Sequence, residues 1–241
     1  MPSLPSAGLT LVELLVVVAI ITILAALLLG AAGKVRAQAH GARCLSNLRQ
    51  MGMAFQMYAN ENDERIPYPN ASYGGNNANP QLCWFNALDP YLLGLIAATG
   101  KAEENVSYIK QDPVIEKLGP QWLVDAHTLK MNERLGYDFT GSPSSEYIWS
   151  LADFPRPELS VLIFDGKAER NQLADGLPGS QAKQTQGTEG DVMRRHSDRA
   201  NVLFVDGHTE LRNEKHQTGG DGLGWKLDET SLIWKPWLPH P

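Results

Sequence analysis

The chain has 241 residues, with 21 Lys and Arg against 27 Asp and Glu, a net charge of −6. That length permits one domain, or one domain with an appendage, and 43% hydrophobic with 20% charged residues excludes a wholly disordered chain. Two cysteines are too few for a disulfide-built scaffold or a four-cysteine zinc site, and the acidic balance argues against nucleic acid as the main partner.

The hydrophobicity is concentrated near the N-terminus. Leu14 to Gly33 is a run of 20 uncharged residues in which Thr22 is the one conventional polar side chain. At a rise of about 1.5 Å per residue such a helix spans about 30 Å, one bilayer hydrocarbon core. A soluble core helix rarely stays apolar on every face for so long. A cleavable secretory signal has an apolar region of about 7–15 residues and a basic start, whereas Met1 to Gly8 contains no Lys or Arg. The run therefore predicts a membrane-embedded helix. Thr10-Leu11-Val12-Glu13 ahead of it fits the S/T-x-x-E capping box, and the helix dipole favours a carboxylate in that first turn.

Gly8-Leu9-Thr10-Leu11-Val12-Glu13, followed by the apolar run, resembles the type IV prepilin and type II secretion pseudopilin signature. In that family a glycine ends a short leader and a glutamate follows five residues on. The resemblance implies that prepilin peptidase cuts between Gly8 and Leu9 and that Leu9, where the family usually has Phe, becomes N-methylated. For Glu13 it implies an assembly role beside the capping one: a buried carboxylate in a filament is neutralised by a neighbour's N-terminal ammonium. It also implies a leader inside and a C-terminal domain outside the cytoplasmic membrane. The basic flank of Lys34, Arg36, Arg43 and Arg49 points the other way under the positive-inside rule. Leaders of the family usually carry Lys or Arg, so either the start codon lies upstream or processing tolerates a neutral leader.

Beyond the run, Leu45, Leu48, Met51, Phe55 and Tyr58 recur every three or four residues and predict a continuing helix with one apolar stripe for a sheet. It should end near Asn60 to Asp63, before Pro67 and Pro69, with a soft point near Gly30 and Gly33. The pattern then turns β-rich. Val161 to Glu169 mirrors Val202 to Glu210: each is an apolar run, an Asp-Gly and a short polar strand candidate. This predicts two hairpins, turning at Asp165-Gly166 and at Asp206-Gly207. Residues 70–80 and 170–195 read as exposed polar loops.

The segment 43–69, together with His196, nine residues and then Asp206-Gly207, extends the resemblance to pseudopilins carrying the H-X9-DG processing-associated element. Lys130-Met131-Asn132, Leu135-Gly136 and Arg156-Pro157 fall in that group's order as weaker marks. The fold implied is α+β and pilin-like: a long N-terminal transmembrane α-helix packed on an antiparallel β-sheet head with long loops.

His196, Asp198, Asp206 and His208 lie close in sequence and form a candidate divalent-metal site. Imidazole and carboxylate suit zinc, whereas calcium takes about six to eight oxygens; related pseudopilins hold a loop-bound calcium. Against this, Asp206-Gly207 is already explained as a turn and His196 as a tie from loop to hairpin. No cofactor is otherwise expected. Cys44 and Cys83 would both lie outside the cytoplasm, where a disulfide persists, and are a candidate pair. There is no nucleophile elbow, P-loop, dinucleotide loop or HExxH helix, so the chain is expected not to be an enzyme. Lys34 to Met53 carries +4 with no acid, and the chain after Met53 carries 17 basic and 26 acidic residues, −9. Such a collar beneath an acidic head could meet anionic headgroups or neighbouring heads; a solvated helix face explains it equally.

The expected organisation is a leader over 1–8, a transmembrane half-helix over 9–33, an amphipathic extracytoplasmic half over 34–60 and a β-rich head over 61–241. The expected function is that of a pilin or pseudopilin subunit of a type II secretion or type IV pilus-like filament. Its partners would be other such subunits, prepilin peptidase, the assembly machinery and inner-membrane lipid. The alternative is a signal-anchored extracytoplasmic binding protein or enzyme acting as a monomer.

Overall fold

A computed structural model describes residues 11–69, 83–98, 109–110, 126–136, 149–170, 186–187, 192–193, 195–196, 199–213, 216–217, 224–225 and 232–234. It divides into two compact units, Met1–His40 and Gly41–Pro241. Helix α1, Leu11–Glu61, is 51 residues long and contributes to both. It runs through Gly30 and Gly33 without interruption, so neither glycine breaks it.

In the first unit α1 has its apolar side chains uncovered over Leu11–Leu28. Leu11–Leu28 has a mean hydropathy of 3.0 and none of its residues is buried. The window is about 27 Å long at helical rise, enough for a tilt-free crossing of a thin bilayer core. Thr22, its polar exception, turns its hydroxyl back onto the Ala19 carbonyl at 2.8 Å, so no donor is left facing lipid.

The second unit begins with the C-terminal part of α1. The predicted stripe is its packing face: Leu48, Met51 and Phe55 are buried, and Leu45 and Tyr58 half-buried. The helix stops where expected. Asp63 and Glu64 follow with φ of 55° and 58°, and the Glu64 amide donates to the Ala59 carbonyl at 2.8 Å, closing the helix end with non-glycine residues in the left-handed region. Helices α2, Trp84–Ala87, and α3, Asp89–Ala98, then pack near that end. Tyr91 of α3 donates its hydroxyl to Glu61 Oε2 at 2.7 Å and meets Tyr58 edge-on.

Strands β1 (Ala126–Asn132), β2 (Val161–Arg170), β3 (Gln186–Gly187), β4 (Ala200–Phe204) and β5 (Thr209–Arg212) form one sheet in the order β3-β1-β2-β4-β5. The pairings β1–β2, β2–β4 and β4–β5 are antiparallel, and the two-residue β3 joins β1 in parallel. A separate ribbon pairs β6 (His216–Gln217) with β7 (Gly224–Trp225). Strand β4 shows why a continuous apolar run is needed: it is buried on both faces. Leu203 and Val205 join the cluster built on Leu48, Met51, Phe55 and Trp84 of the helical layer. Ala200, Val202 and Phe204 join the opposite cluster, closed by Val192, Leu232 and Trp234. Trp234 meets Phe164 edge-on at 5.0 Å.

One expected hairpin forms and the other does not. β4 and β5 turn at Asp206-Gly207, with Gly207 at φ +90°, the conformation for which glycine is needed. Asp165-Gly166 makes no turn: β2 continues through it for 10 residues, with an irregularity in its register with β1 between Asp165 and Glu169. Gly166 is there for a different reason. A Cβ on it would stand 2.0 Å from Cγ of Lys130 on the neighbouring strand, whose side chain is wholly buried. The local sequence signal is the same in both places, and tertiary packing overrides it in one.

Candidate functional site

The first candidate site lies at the N-terminus. Gly8 and Leu9, the expected cleavage and methylation positions, and Thr10 of the expected capping box lie outside the described residues. Glu13 falls in the first turn of α1, where a carboxylate complements the helix dipole.

The second is the contact between α1 and the C-terminal hairpin, built from the ends of the His196-to-Gly207 element. At one end the Asp206-Gly207 turn seats on the helix. Gly52 makes room for it: a Cβ there would lie 3.0 Å from the Gly207 carbonyl oxygen and 3.0 Å from Leu203 Cδ1. One turn on, Gln56 Nε2 donates to the Val205 carbonyl at 3.2 Å. Gly52, Met53, Gln56, Met57, Asp206 and Gly207 line an open cavity of about 460 Å³ beside this contact. Within the turn, the His208 amide donates to Asp206 Oδ1 at 3.0 Å and the His208 ring nitrogen Nδ1 lies 2.5 Å from the same oxygen. The imidazole stacks flat on Phe204, with ring centroids 4.3 Å apart.

At the other end, His196 is buried at 7% exposure, and its backbone exchanges hydrogen bonds with Arg199 in both directions, at 3.0 and 3.2 Å. Its Nδ1 lies 3.7 Å from where a Cβ on Gly41 of α1 would stand. Its Nε2 lies 3.4 Å from Oδ2 of Asp165, which is fully buried in β2. Asn201 of β4 completes the group: its amide nitrogens, backbone and side chain, donate to the same Asp165 oxygen at 2.7 and 2.9 Å. Asp165 Oδ1 and Asn201 Oδ1 have no donor among the described residues. Arg195 donates to the carbonyls of Gly166 and Thr128, linking β2 and β1.

Of the candidate metal quartet, the structure places three members. His196 pairs with Asp165, His208 pairs with Asp206, and Asp198 lies outside the described residues. Among the described residues no three His, Cys, Asp or Glu side chains converge on one point. The physical reason is the hairpin itself: Asp206 and His208 sit at its tip, bound to each other, whereas His196 precedes β4 and reaches the middle of the sheet. The expected cysteine bridge is also not formed. Cys44 and Cys83 are both buried thiols, and Cys83 Sγ donates to the Pro69 carbonyl at 3.8 Å.

Sequence reasoning missed Asp165, Asn201, Gly41, Gly52 and Gln56. One usable signal was present: Asp165 and Asn201 are polar residues set in apolar strand runs, and such residues need a partner when buried. Asn132, noted only as a family mark, proves a structural tie. Its side-chain amide donates to the carbonyls of Val161 at 3.1 Å and Trp234 at 2.9 Å, joining β1, the start of β2 and the C-terminal segment.

A long apolar N-terminal helix followed by an antiparallel sheet defines an α+β chain of pilin-like build. Residues 5–29 match the prokaryotic N-terminal methylation motif. That match supports a pilin-type substrate of prepilin peptidase, and its apolar helix a single-pass membrane anchor. No curated protein and no solved structure matches the chain.

Proposed function

We propose that this chain is a pseudopilin-like structural subunit. It is inserted as a precursor, cut between Gly8 and Leu9, methylated on Leu9 and assembled through its first helix into a type II secretion or type IV pilus-like filament. The head lies on the extracytoplasmic side. The observation that carries this is the methylation-motif match over residues 5–29, lying on a helix whose apolar side chains are uncovered within the chain over Leu11–Leu28. Such a surface must be covered by lipid in the precursor and by other helices in a filament. In that bundle Glu13 pairs with the N-terminal ammonium of a neighbouring subunit. The head contributes a rigid support for α1, and catalysis is not its role.

Mass spectrometry of the mature N-terminus tests the reading directly. It expects N-methyl-Leu9; an intact Met1, or a cut near Ala31-Ala32, would instead indicate a signal-anchored or secreted monomer. Glu13→Ala is expected to leave a folded, membrane-bound precursor and to abolish filament formation by electron microscopy.

A further inference from the structure

The histidine of the His196-to-Gly207 element stands on a wholly buried carboxylate of the sheet. Asp165 is 0% exposed, in the strand paired on both sides by β1 and β4. An ionised carboxylate in such a place costs several kcal/mol unless a positive group and hydrogen-bond donors meet it. Asn201 supplies two donors and no charge. Of the other cations nearby, Arg195 binds the carbonyls of Thr128 and Gly166, and Lys130 lays its stem along Gly166. Arg199 is tied by its backbone to His196. His196 Nε2 lies 3.4 Å from Asp165 Oδ2, too poorly aligned for a hydrogen bond, and is a cation there when the ring is protonated.

The same imidazole touches the helix. Its other nitrogen abuts Gly41, the first residue of the head unit. Cys44, one helical turn further on the same face, is 3% exposed. We propose that His196 is a charge latch: its imidazolium neutralises buried Asp165 and so holds the segment entering β4 against α1 at Gly41, and removing that charge opens this edge of the head and uncovers Cys44. This holds whether or not the chain is assembled into a filament, because every group involved belongs to the head.

The two native thiols make the test internal. Cys44 reports on the latch. Cys83 is 4% exposed within the apolar cluster around Trp84 and reports on global unfolding. Full-length chain in detergent is pulsed with a thiol reagent at neutral pH, and each cysteine is read separately by peptide mass spectrometry. His196→Gln, which keeps hydrogen-bonding ability and loses the charge, is expected to speed labelling of Cys44 at least about tenfold, with Cys83 unchanged. Adding Asp165→Asn removes the stranded carboxylate and is expected to return Cys44 to within about threefold of wild type. An unchanged Cys44 rate in His196→Gln, no recovery in the double variant, or equal acceleration of both cysteines would each overturn the latch. Should the His196→Gln chain fail to accumulate, Asp165→Asn provides the background. There the latch expects His196→Gln to change Cys44 labelling by less than about twofold, and a larger change would refute it.

Discussion

Tyr91 shows how a single half-buried side chain can carry a readable electrostatic signature. Its phenol donates to Glu61, and this hydrogen bond, then burial and the negative charge of Glu61, push its pKa up from 10.0 to about 12. The fold therefore holds the neutral phenol more tightly than the unfolded chain does. The stabilisation is fully present below pH 10 and is lost as pH rises from 10 toward 12. Alkaline unfolding curves are expected to fall less steeply for Tyr91→Phe across that window, and a parallel curve would refute the linkage. Gly166 makes a second prediction at this scale. Because Lys130 Cγ would lie 2.0 Å from an added Cβ, Gly166→Ala is expected to cost about 2–3 kcal/mol. Lys130→Ala in the same chain should recover much of that loss in a denaturant-monitored double-mutant cycle.

Among elements, the joint of α1 with the β4–β5 hairpin is the most constrained. Gly52→Val would drive a branched side chain into the Gly207 carbonyl and Leu203, and is expected to destabilise the head by about 2 kcal/mol in chemical denaturation. Gly33, with nothing within 4 Å of an added Cβ, should accept Ala without loss. The sequence made one side of this joint legible. The period of Leu48, Met51 and Phe55 marks the packing face of α1, and Asp206-Gly207 marks a turn, because both signals are local. It hid the other side. Val161 to Gly166 carries nearly the same residues as Val202 to Gly207, yet one stays a strand because Lys130 fills the space beside Gly166. Nor does spacing connect His196 to Asp165: that pairing is created by strand order, with β2 placed beside β4. The methylation motif was readable for the opposite reason, since it is carried by the contiguous residues 5–29 and needs no partner from elsewhere in the chain.

At the scale of the whole molecule the two units have separate requirements. The first needs only apolar length, whereas the second needs its last described residues. Leu232 and Trp234 cover Phe164, Val202 and Phe204 on one face of the sheet, and Asn132 anchors to the Trp234 carbonyl. A chain truncated before Leu232 is therefore expected to fractionate with membranes while its head is cleaved rapidly by added protease. A truncated head as protease-resistant as the full one would show that this face needs no cover.

The long reach between Gln56 and Val205 also sets an order in time. These partners are 149 residues apart in the chain, and the helix carrying Gln56 is synthesised first. The membrane anchor can be in place while most of the head is still unmade. The packing face of α1, however, cannot close until β4 and its turn have been made. The head is thus compelled to fold late and as a tethered chain, with its slowest contacts also its most distant ones. Until then the stripe of Leu48, Met51 and Phe55 is open to any apolar surface at the membrane, so a chaperone acting on this chain would have to cover that stripe.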